Sequence, residues 1–590
     1  RGLGDVYKRQ IRDGRVEAIE ARALKPMRTL QLLTYVLASE DGTLQMSVRT
    51  GPADGARAGD ENTWSGFLIG AGGDDIDFRI TALVHHWPGE DGGLIVALDG
   101  AGQIVVRDNS RRGAYRGIES NYETDDWPLL QPLSSTSTGD IPDNVTLHLT
   151  AEPGIGGYDL QVRAEGSEGA FISEARYRNI DRQQLTGNVA LVSHLSPNEG
   201  DSGYWFEDWK VSGTKLVHEP DRAFGPIVGV QYTLSREILK LTAQMTPLGA
   251  SDNRAAELQI QKDGEWTTVA QSELMPGSYT VPFRVEGWTE PEDLEFRVAY
   301  QMSANGESGT FFYHGTIRSP ETIADEFVLG VLNCNNISSG EDMQWNRSTI
   351  WHPHEDLMAA VQAHDPDMVF FAGDQFYEYG LEGIERSPPQ TAYLDHLYHW
   401  YRFMWAFGDL TRNMPSVAIP DDHDVYHGNI WGEGGKPAVG TFEPQHDNGG
   451  YIMDPDWVNA VHRTQTSHLP DPVDPTPIKQ GISVFYTDMN YAGLSFAVIA
   501  DRMWKSAPRP LLPQAQIWNG WIENPEYDPY DSDVANATLL GERQLEFLED
   551  WTSDWSDNTW MKVVLSATPF NNIATLPQHA TNDSVVPELV

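Results

Sequence analysis

The sequence is poor in cysteine, in positive charge and in long apolar runs, and each shortage excludes something. Cys334 is the only cysteine among 590 residues, so the chain forms no internal disulfide. Lysine and arginine number 41 against 86 aspartates and glutamates, and the formal charge of −45 repels nucleic-acid backbones and anionic membrane surfaces. No apolar run reaches the roughly 18 residues of a membrane-spanning helix. The sequence therefore predicts a soluble protein that binds neither nucleic acid nor membrane.

The length predicts several domains, because at about 100–200 residues per domain this chain should hold three or so. Residues 1–10, RGLGDVYKRQ, do not begin with methionine and resemble a translated sequencing adapter. We exclude them from fold reasoning. The native N-terminus and any signal peptide are expected to be missing.

Residues 11–218 are predicted to form an all-β sandwich. Apolar residues alternate in short runs, for example at Val145, Leu147 and Leu149, and the runs are separated by Gly, Asp and Asn. Segments 64–70 and 206–213 resemble parts of the concanavalin or laminin-G jelly roll. Many jelly rolls of this kind bind glycans and many others are spacers, so a glycan partner is one of two open roles.

Residues 222–318 are predicted to form a second sandwich, of the immunoglobulin-like kind. Leu239, Leu241 and Ala243 alternate with polar residues, and Asp263-Gly264 is typical of a hairpin turn. Ser319-Pro320-Glu321 then indicates a linker.

Residues 326–590 change character and are predicted to form an α/β layer domain, because apolar strands alternate with helical segments. The first predicted helix places Leu357, Ala360 and Val361 on one face. The predicted strands are Phe327–Leu332, Met368–Ala372, Val417–Ile419, Leu494–Ala500 and Met561–Leu565, and the predicted helices are Glu355–His364 and Glu542–Trp551.

Four of these strands run directly into possible metal ligands or polar side chains. In α/β sheets, sites form outside the carboxyl ends of strands, so these residues are predicted to converge. Taken singly, a cysteine is more often a small buried apolar residue, and an aspartate after a strand is more often a helix cap. Their recurrence predicts a metal cluster. The four segments are Asn333-Cys334-Asn335, Gly373-Asp374, Asp421-Asp422-His423-Asp424 and Asp501-Arg502.

Two of these segments carry a family resemblance. Residues 373–378, GDQFYE, and residues 421–425, DDHDV, are similar to signature segments of PhoD-like phosphatases and phosphodiesterases. That family is a branch of the calcineurin-type metallophosphoesterases. The resemblance covers about residues 326–590 and implies an αββα-type fold that hydrolyses phosphomonoesters, phosphodiesters or both. It also implies an extracytoplasmic bacterial protein, either periplasmic or secreted.

The resemblance further implies a set of metal ligands. Cys334 and Tyr377 would bind iron, Asp374 would bridge two metals, and Asp422 would bind the second metal, commonly calcium in this branch. A thiolate and a phenolate suit Fe³⁺, whereas carboxylate and water oxygens suit Ca²⁺. Two such ions can activate water as a nucleophile without a covalent serine.

His423 follows Asp422 as the histidine follows the ligand in the Asn-His motif of metallophosphoesterases. It is expected to assist the leaving group as a proton donor, a role worth roughly 10²- to 10⁴-fold, with Asp424 orienting it. Arg502 would contact phosphate bidentately or form an ion pair, and both alternatives remain open. Residues 427–436 are interpreted as a mobile loop near the site, because Ile430 stands where a phosphate-binding loop needs glycine.

The remaining histidines of this region are expected to be structural or solvated, since their spacing makes no closed ligand set. They are His352, His354, His396, His399, His427 and His446.

The resemblance implies one feature that the sequence lacks, a late Gly-Asp-x-His-like segment after a further strand. Beyond Leu565 the only histidine is His579, with no apolar strand after it. We therefore expect a C-terminally incomplete domain with weak or no activity. The alternative function is a glycan-binding or adhesive surface protein with a degenerate phosphoesterase domain. That alternative is favoured if Cys334, Asp374 and Asp422 lie more than about 7 Å from a common point.

Overall fold

The computed structural model describes most of the chain and divides it into two compact units. It describes residues 9–18, 27–53, 61–83, 89, 91–110, 127–139, 142–194, 203–304, 307–323, 326–337, 351–378, 384–427, 429–439, 447–518, 520–568, 574–575 and 588–589. The first unit comprises Arg1–Gly225, Asn336–His354 and Tyr379–Gly383; the second comprises Pro226–Asn335, Glu355–Glu378 and Ile384–Val590. Residues 1–8, His446 and His579 lie outside the described residues. The division into three domains stays a prediction.

The first unit is largely antiparallel β-structure. Its described strands and helix are β1 (Arg9–Arg12), β2 (Arg15–Ala18), β3 (Met27–Leu37), β4 (Leu44–Pro52), β5 (Trp64–Gly72), α1 (Phe78–Leu83), β6 (Leu94–Asp99), β7 (Ile104–Asp108), β8 (Ser134–Ser137), β9 (Val145–Gly154), β10 (Gly157–Glu165), β11 (Phe171–Ile180), β12 (Gly187–His194), β13 (Tyr204–Ser212) and β14 (Leu216–His218).

These strands form two sheets that share one core. The order is β1-β2-β13-β4-β9-β10-β11-β8 in one sheet and β14-β3-β12-β5-β6-β7 in the other. Alternate residues of each sheet point inward, for example Leu147 and Leu149 from β9 and Phe67 from β5, and they meet in one apolar cluster. The predicted all-β sandwich is confirmed. The predicted glycan-binding role stays a prediction.

The second unit begins with a smaller sandwich. Its strands are β15 (Ile227–Ser235), β16 (Ile238–Met245), β17 (Ala255–Lys262), β18 (Glu265–Glu273), β19 (Thr280–Glu286), β20 (Leu294–Ala304) and β21 (Glu307–Ile317). The first, second and fifth strands form one sheet, β15-β16-β19, and the others form the sheet β18-β17-β20-β21. Tyr232 and Phe296 pack edge to face between them. This arrangement fits the predicted immunoglobulin-like sandwich, and Asp263-Gly264 forms the predicted hairpin turn.

Strands and helices alternate in the rest of the second unit. They are β22 (Leu329–Leu332), α2 (Glu355–Gln362), β23 (Met368–Phe371), α3 (Pro389–Thr411), β24 (Ser416–Ala418), α4 (Pro455–Thr466), β25 (Thr487–Tyr491), β26 (Leu494–Val498), α5 (Asp501–Trp504), α6 (Pro508–Leu511), β27 (Ile517–Trp518), β28 (Trp521–Ile522), α7 (Glu542–Ser553), β29 (Met561–Leu565), β30 (Ala574–Thr575) and β31 (Glu588–Leu589).

Two three-stranded sheets carry the strands that were predicted here. Strands β22, β23 and β24 pair in parallel, so their carboxyl ends lie at one edge. Strand β26 pairs antiparallel with β25 and parallel with β29. All five predicted strands are present within one or two residues of their predicted bounds. Among the described helices, none has the length and apolarity needed to cross a membrane.

Helix α3 was not predicted, although it is the longest helix in the described part of the chain. Its 23 residues are buried on most sides, so the sequence shows aromatic and apolar residues without a clear helical period. The predicted apolar face of α2 was wrong. Met358 is its buried residue and Val361 is half-buried, whereas Leu357 and Ala360 are exposed.

Strand β15 joins the small sandwich to α3. Every residue of β15 is buried, so both of its faces are covered. A Cβ at Gly229 would lie 2.7 Å from Cε of Met404 on α3, so the strand and the helix are in close contact here. The Tyr401 hydroxyl of α3 donates a hydrogen bond of 2.7 Å to the carbonyl of Met245 at the end of β16. The sandwich and the α/β region therefore share a packed interface.

Candidate metal centre

The carboxyl edge of the parallel sheet gathers the loops that carry the predicted ligands. Backbone hydrogen bonds continue past the strands, from the amide of Ala372 to the carbonyl of Leu332 at 2.8 Å and from Ile419 to Phe371 at 3.2 Å. The three loops therefore leave the sheet side by side. This places Cys334, Asp374 and the aspartates of 421–424 next to one another, as parallel strands predict.

Left-handed backbone conformations bring the first two loops into contact. Cys334 has φ 54° and Asp374 has φ 51°, which non-glycine residues adopt only at a cost. The amide of Cys334 donates a hydrogen bond to the carbonyl of Gly373, and the amide of Asn335 donates one to the carbonyl of Asp374. A Cβ at Gly373, where φ is 109°, would lie 2.4 Å from Cβ of Asp421. Only glycine permits this approach, which explains the Gly-Asp pair.

Within the described residues, one group of three carboxylate and imidazole ligands could hold a metal ion. Asp374, Asp422 and His423 each offer an atom within 4.8 Å of the others. The Cys334 Sγ lies 3.6 Å from Asp374 Oδ2. Two of the four predicted ligands, Asp374 and Asp422, therefore belong to this group, and Cys334 lies beside Asp374. The third member is His423, the predicted proton donor.

His423 is paired with Glu378, a residue that sequence reasoning did not select. The His423 Nδ1 lies 2.6 Å from Oε2 of the buried Glu378 carboxylate. Burial lowers the pKa of His423, but the Glu378 bond and the surrounding carboxylates outweigh it and raise the pKa to about 10. The His423 ring therefore carries a proton at neutral pH. Tyr377, the predicted iron ligand, packs its ring 4.1 Å from the His423 ring.

Asp424 holds the loops together and does not take the predicted place beside His423. Its carboxylate accepts hydrogen bonds from the backbone amides of Asp374, Gln375 and Asp421 and from the Gln465 side chain, at 2.8–3.1 Å. Burial raises the pKa of Asp424 to about 7 despite these bonds. Both of its oxygens are engaged, so the orienting partner of His423 is Glu378.

Arg502 forms the ion pair that was one of its two predicted roles. Its Nη2 donates to Asp421 Oδ2 at 2.9 Å, and its Nε lies 2.7 Å from Asp421 Oδ1. Burial raises the pKa of Asp421 to about 8, and Arg502 opposes that rise. The pair fixes the position of the Arg502 guanidinium at the start of α5.

The carboxylates of the centre repel one another. Burial, followed by the charges of Asp422 and Asp421, raises the pKa of Asp374 well above its ordinary value. A bound cation would remove this repulsion, since carboxylates near a cation remain ionised. The donor set therefore fits a hard or intermediate cation held by Asp374 and Asp422, with a thiol within reach.

Lys505 is a second cation beside the centre that sequence reasoning missed. Its Nζ lies 4.7 Å from the centre of the Trp431 ring and 3.4 Å from Thr568 Oγ1. Burial, followed by the charge of Arg502, lowers the pKa of Lys505 to about 8. The sequence could have indicated Arg502 and Lys505 together, because they are three residues apart and both follow the same predicted strand.

The loop of residues 429–436 is held against α5. The amides of Gly432 and Gly434 donate to the carbonyls of Arg502 and Met503, each at 3.0 Å. These bonds fix the position of its described residues in the structure, and the interpretation as a mobile loop stays a prediction. Two backbone amides of this loop thus find their hydrogen-bond acceptors on α5, the helix that carries Arg502.

The other predicted non-ligand histidines of the second unit are packed in its interior where the structure describes them. His396 Nε2 lies 3.0 Å from Thr464 Oγ1, and His399 Nε2 lies 3.6 Å from Asp395 Oδ2. His427 Nδ1 pairs with the Asn429 carbonyl at 3.1 Å. His352 and His354 belong to the first unit.

Comparison with known proteins gives only distant structural similarity. No family model and no curated protein matches the chain. Lectin I-B4 from Griffonia simplicifolia is 13% identical over 35% of this chain and 91% of its own, with a TM-score of 0.23. The seed lectin of Lotus tetragonolobus is 12% identical over 35% and 90%, with a TM-score of 0.24. A beta-glycosidase from Bacteroides vulgatus is 10% identical over 62% and 50%, with a TM-score of 0.17. Similarities this distant assign neither a fold nor an activity.

Proposed function

We propose that the chain hydrolyses phosphomonoesters, phosphodiesters or both with the help of bound metal ions. The observation that carries the proposal is the convergence of Asp374, Asp422 and His423 within 4.8 Å, with Cys334 Sγ 3.6 Å from Asp374. A carboxylate pair, an imidazole and a thiol at one sheet edge are more than a helix cap or a turn requires.

The ions proposed for this centre are Fe³⁺ and Ca²⁺. Asp374 and Asp422 supply the oxygen ligands that hard cations prefer, and Cys334 with Tyr377 would supply the thiolate and phenolate that suit Fe³⁺. When bound, such ions lower the pKa of a coordinated water and neutralise charge on the phosphoryl group. Other divalent ions are compatible with the same carboxylates.

His423 and Glu378 would supply the proton that the leaving oxygen needs. Glu378 holds Nδ1 of the His423 ring at 2.6 Å, and so fixes the ring and stabilises its protonated form. We assign Nε2 as the atom that donates to the leaving oxygen. Because a metal-activated water can attack directly, this proton donor is the only general acid that the mechanism requires.

Arg502 and Lys505 would bind the anionic substrate. Both cations lie at the α5 side of the centre, and the Asp421 carboxylate fixes the Arg502 guanidinium. Two positive charges beside the carboxylates offset the repulsion that an approaching phosphate would otherwise meet. Bidentate contact with phosphate requires Arg502 to share its guanidinium between Asp421 and the substrate.

The test is metal binding and hydrolysis measured together. The purified protein is loaded separately with Fe³⁺, Ca²⁺ and Mn²⁺, its metal content is measured, and it is assayed with p-nitrophenyl phosphate and bis(p-nitrophenyl) phosphate. Iron bound by Tyr377 or Cys334 should give a visible charge-transfer band. Failure to bind any of these ions, or binding that Asp374→Asn does not weaken, contradicts the proposal.

The competing function is a glycan-binding or adhesive surface protein with a degenerate phosphoesterase domain. The proximity of Asp374 to both Asp422 and Cys334 supports a functional metal site over a degenerate one. The same assays separate the two. A protein that binds glycan but neither metal nor phosphoester would establish the alternative.

A further inference from the structure

The second unit contains a cleft that none of the residues of the metal centre lines. Its volume is about 700 Å³, within the roughly 300–1,000 Å³ of most small-molecule sites. The small sandwich contributes Arg236, Glu237 and Trp288 to its walls, and the α/β region contributes Tyr491 and Trp560. Both parts belong to the same compact unit, so the cleft is a feature of one folded body.

Three tight turns from different elements meet at this cleft. They are Arg236-Glu237 between β15 and β16, Ala492-Gly493 between β25 and β26, and Asp557-Asn558 before β29. Both residues of each pair have positive φ, between 48° and 75°. Two-residue turns of this kind favour Asn or Asp followed by Gly, because left-handed backbone is unfavourable for larger side chains.

The Arg236-Glu237 turn departs most from that preference. Neither residue favours a left-handed conformation, and unfavoured backbone is commonly retained where the side chains have a use. The Arg236 guanidinium pairs with Asp557 at 2.7 Å and with Asp488, so it ties the first turn to the third. Glu237 is exposed, and its carbonyl accepts a hydrogen bond from the amide of Trp288 at 2.8 Å. The turn thus holds the backbones of Glu237 and Trp288 together, and both residues line the cleft.

Aromatic rings form the apolar part of the cleft. Phe327 and Tyr491 pack edge to face at 6.2 Å, and Trp288 is buried. Trp560 is 55% exposed, yet it is fixed because its Nε1 donates to the Ala492 carbonyl at 3.2 Å. A tryptophan held in place with an exposed ring offers a flat apolar surface whose exposure costs free energy until a ligand covers it.

The charges of the cleft decide which ligand fits. Glu290 is paired with Lys262 at 2.6 Å, and Asp557 is paired with Arg236, which leaves Glu237 and Glu321 as exposed carboxylates. The net negative charge disfavours phosphates and other anions. Carboxylates accept hydrogen bonds from hydroxyl groups, and fixed aromatic rings cover the apolar faces of sugar rings. We propose that this cleft binds a neutral oligosaccharide.

Binding is tested with the full chain and three neutral probes, cellohexaose, maltohexaose and chitohexaose, by calorimetric titration and tryptophan fluorescence. One of them should bind, and Trp560→Ala should weaken its binding at least about tenfold. Trp518→Ala is the matched control, since Trp518 is 53% exposed and does not line the cleft. Glu237→Gln provides a second variant that removes one carboxylate without removing a ring.

The outcomes separate this site from the first unit and from a cation site. Binding that Trp560→Ala and Glu237→Gln both weaken, with Trp518→Ala unchanged, supports the proposal. Absence of binding to all three hexasaccharides overturns it, as does binding that neither variant changes. Choline, a cationic probe, should neither bind nor compete; competition that Glu237→Gln abolishes would show an organic-cation site instead. None of these results depends on metal or on phosphoester hydrolysis.

Discussion

Charged residues are placed in opposite ways in the first unit and in the candidate metal centre. On the sandwich, Arg178 and Asp159 lie 3.6 Å apart with their side chains 64% and 48% exposed, while the core between the sheets is apolar. In the centre, Asp374, Asp421, Asp422 and Asp424 are each at most 7% exposed.

This difference separates carboxylates that cost the fold little free energy from carboxylates that cost it more. An exposed ion pair costs little free energy to form and contributes little to stability. Buried, mutually repelling carboxylates cost free energy, and the raised pKa values of Asp374 and Asp421 show that cost. Apolar residues would pack this sheet edge without it. A bound cation of the kind proposed above would offset this cost.

The largest expected effect is that of Asp374→Asn. Hydrolysis should fall by about 10³-fold or more, because a carboxylate proposed to hold the metal is lost. The metal-free variant should nevertheless unfold at a higher temperature than the metal-free wild type at pH 8. A carboxyl whose folded pKa is raised destabilises the fold above its unfolded pKa, and asparagine removes that penalty. Thermal unfolding with and without metal measures both effects; a destabilised metal-free variant would contradict the repulsion described above.

The next effect concerns the His423–Glu378 pair. Glu378→Gln and His423→Ala should each lower kcat by about 10²-fold for poor leaving groups, with near-normal metal content. Removing the Glu378 charge should lower the pKa of His423. Activity should therefore decline, as His423 loses its proton, at a lower pH in Glu378→Gln than in the wild type. Equal losses for good and poor leaving groups would argue against an acid role.

A smaller effect is expected from a buried histidine that stands apart from the centre. Burial lowers the pKa of His468 to about 3, and its Nε2 donates to the Ser416 carbonyl at 2.9 Å. Its stabilising contribution is present above the unfolded pKa of about 6.5 and is lost as pH falls below it. The difference in unfolding free energy between wild type and His468→Gln should therefore shrink by about 2 kcal/mol from pH 7 to pH 5. Chemical denaturation at both pH values measures it, with His148→Gln as the control, since the His148 side chain is 44% exposed.

The smallest effect should come from the surface pair of the first unit. Asp159→Asn should change the unfolding free energy by less than about 0.5 kcal/mol, because both partners of this ion pair are well solvated. The same variant serves as the control for Asp374→Asn. If Asp159→Asn lowered the unfolding free energy as much as the loss of a buried group does, the contrast between the two regions would be contradicted.

Strands were predictable because their apolar residues are local and continuous. Met561–Leu565 matches the observed strand residue for residue, and Asp374 and Asp422 were selected because each follows such a strand. Helix α3 escaped because a helix buried on most sides loses its period. Glu378 escaped because its partner, His423, is 45 residues away, and only the fold joins them.

The burial of β15 on both faces has a consequence for how this protein can change by recombination. If a domain boundary lay near Ser319-Pro320-Glu321, as the composition predicts, the small sandwich could be exchanged between proteins as an independent domain. Because β15 packs on α3 as well as on its own sheet, a crossover there would divide one compact unit and expose apolar surface on both products. Related sequences should therefore inherit the sandwich and the α/β region together.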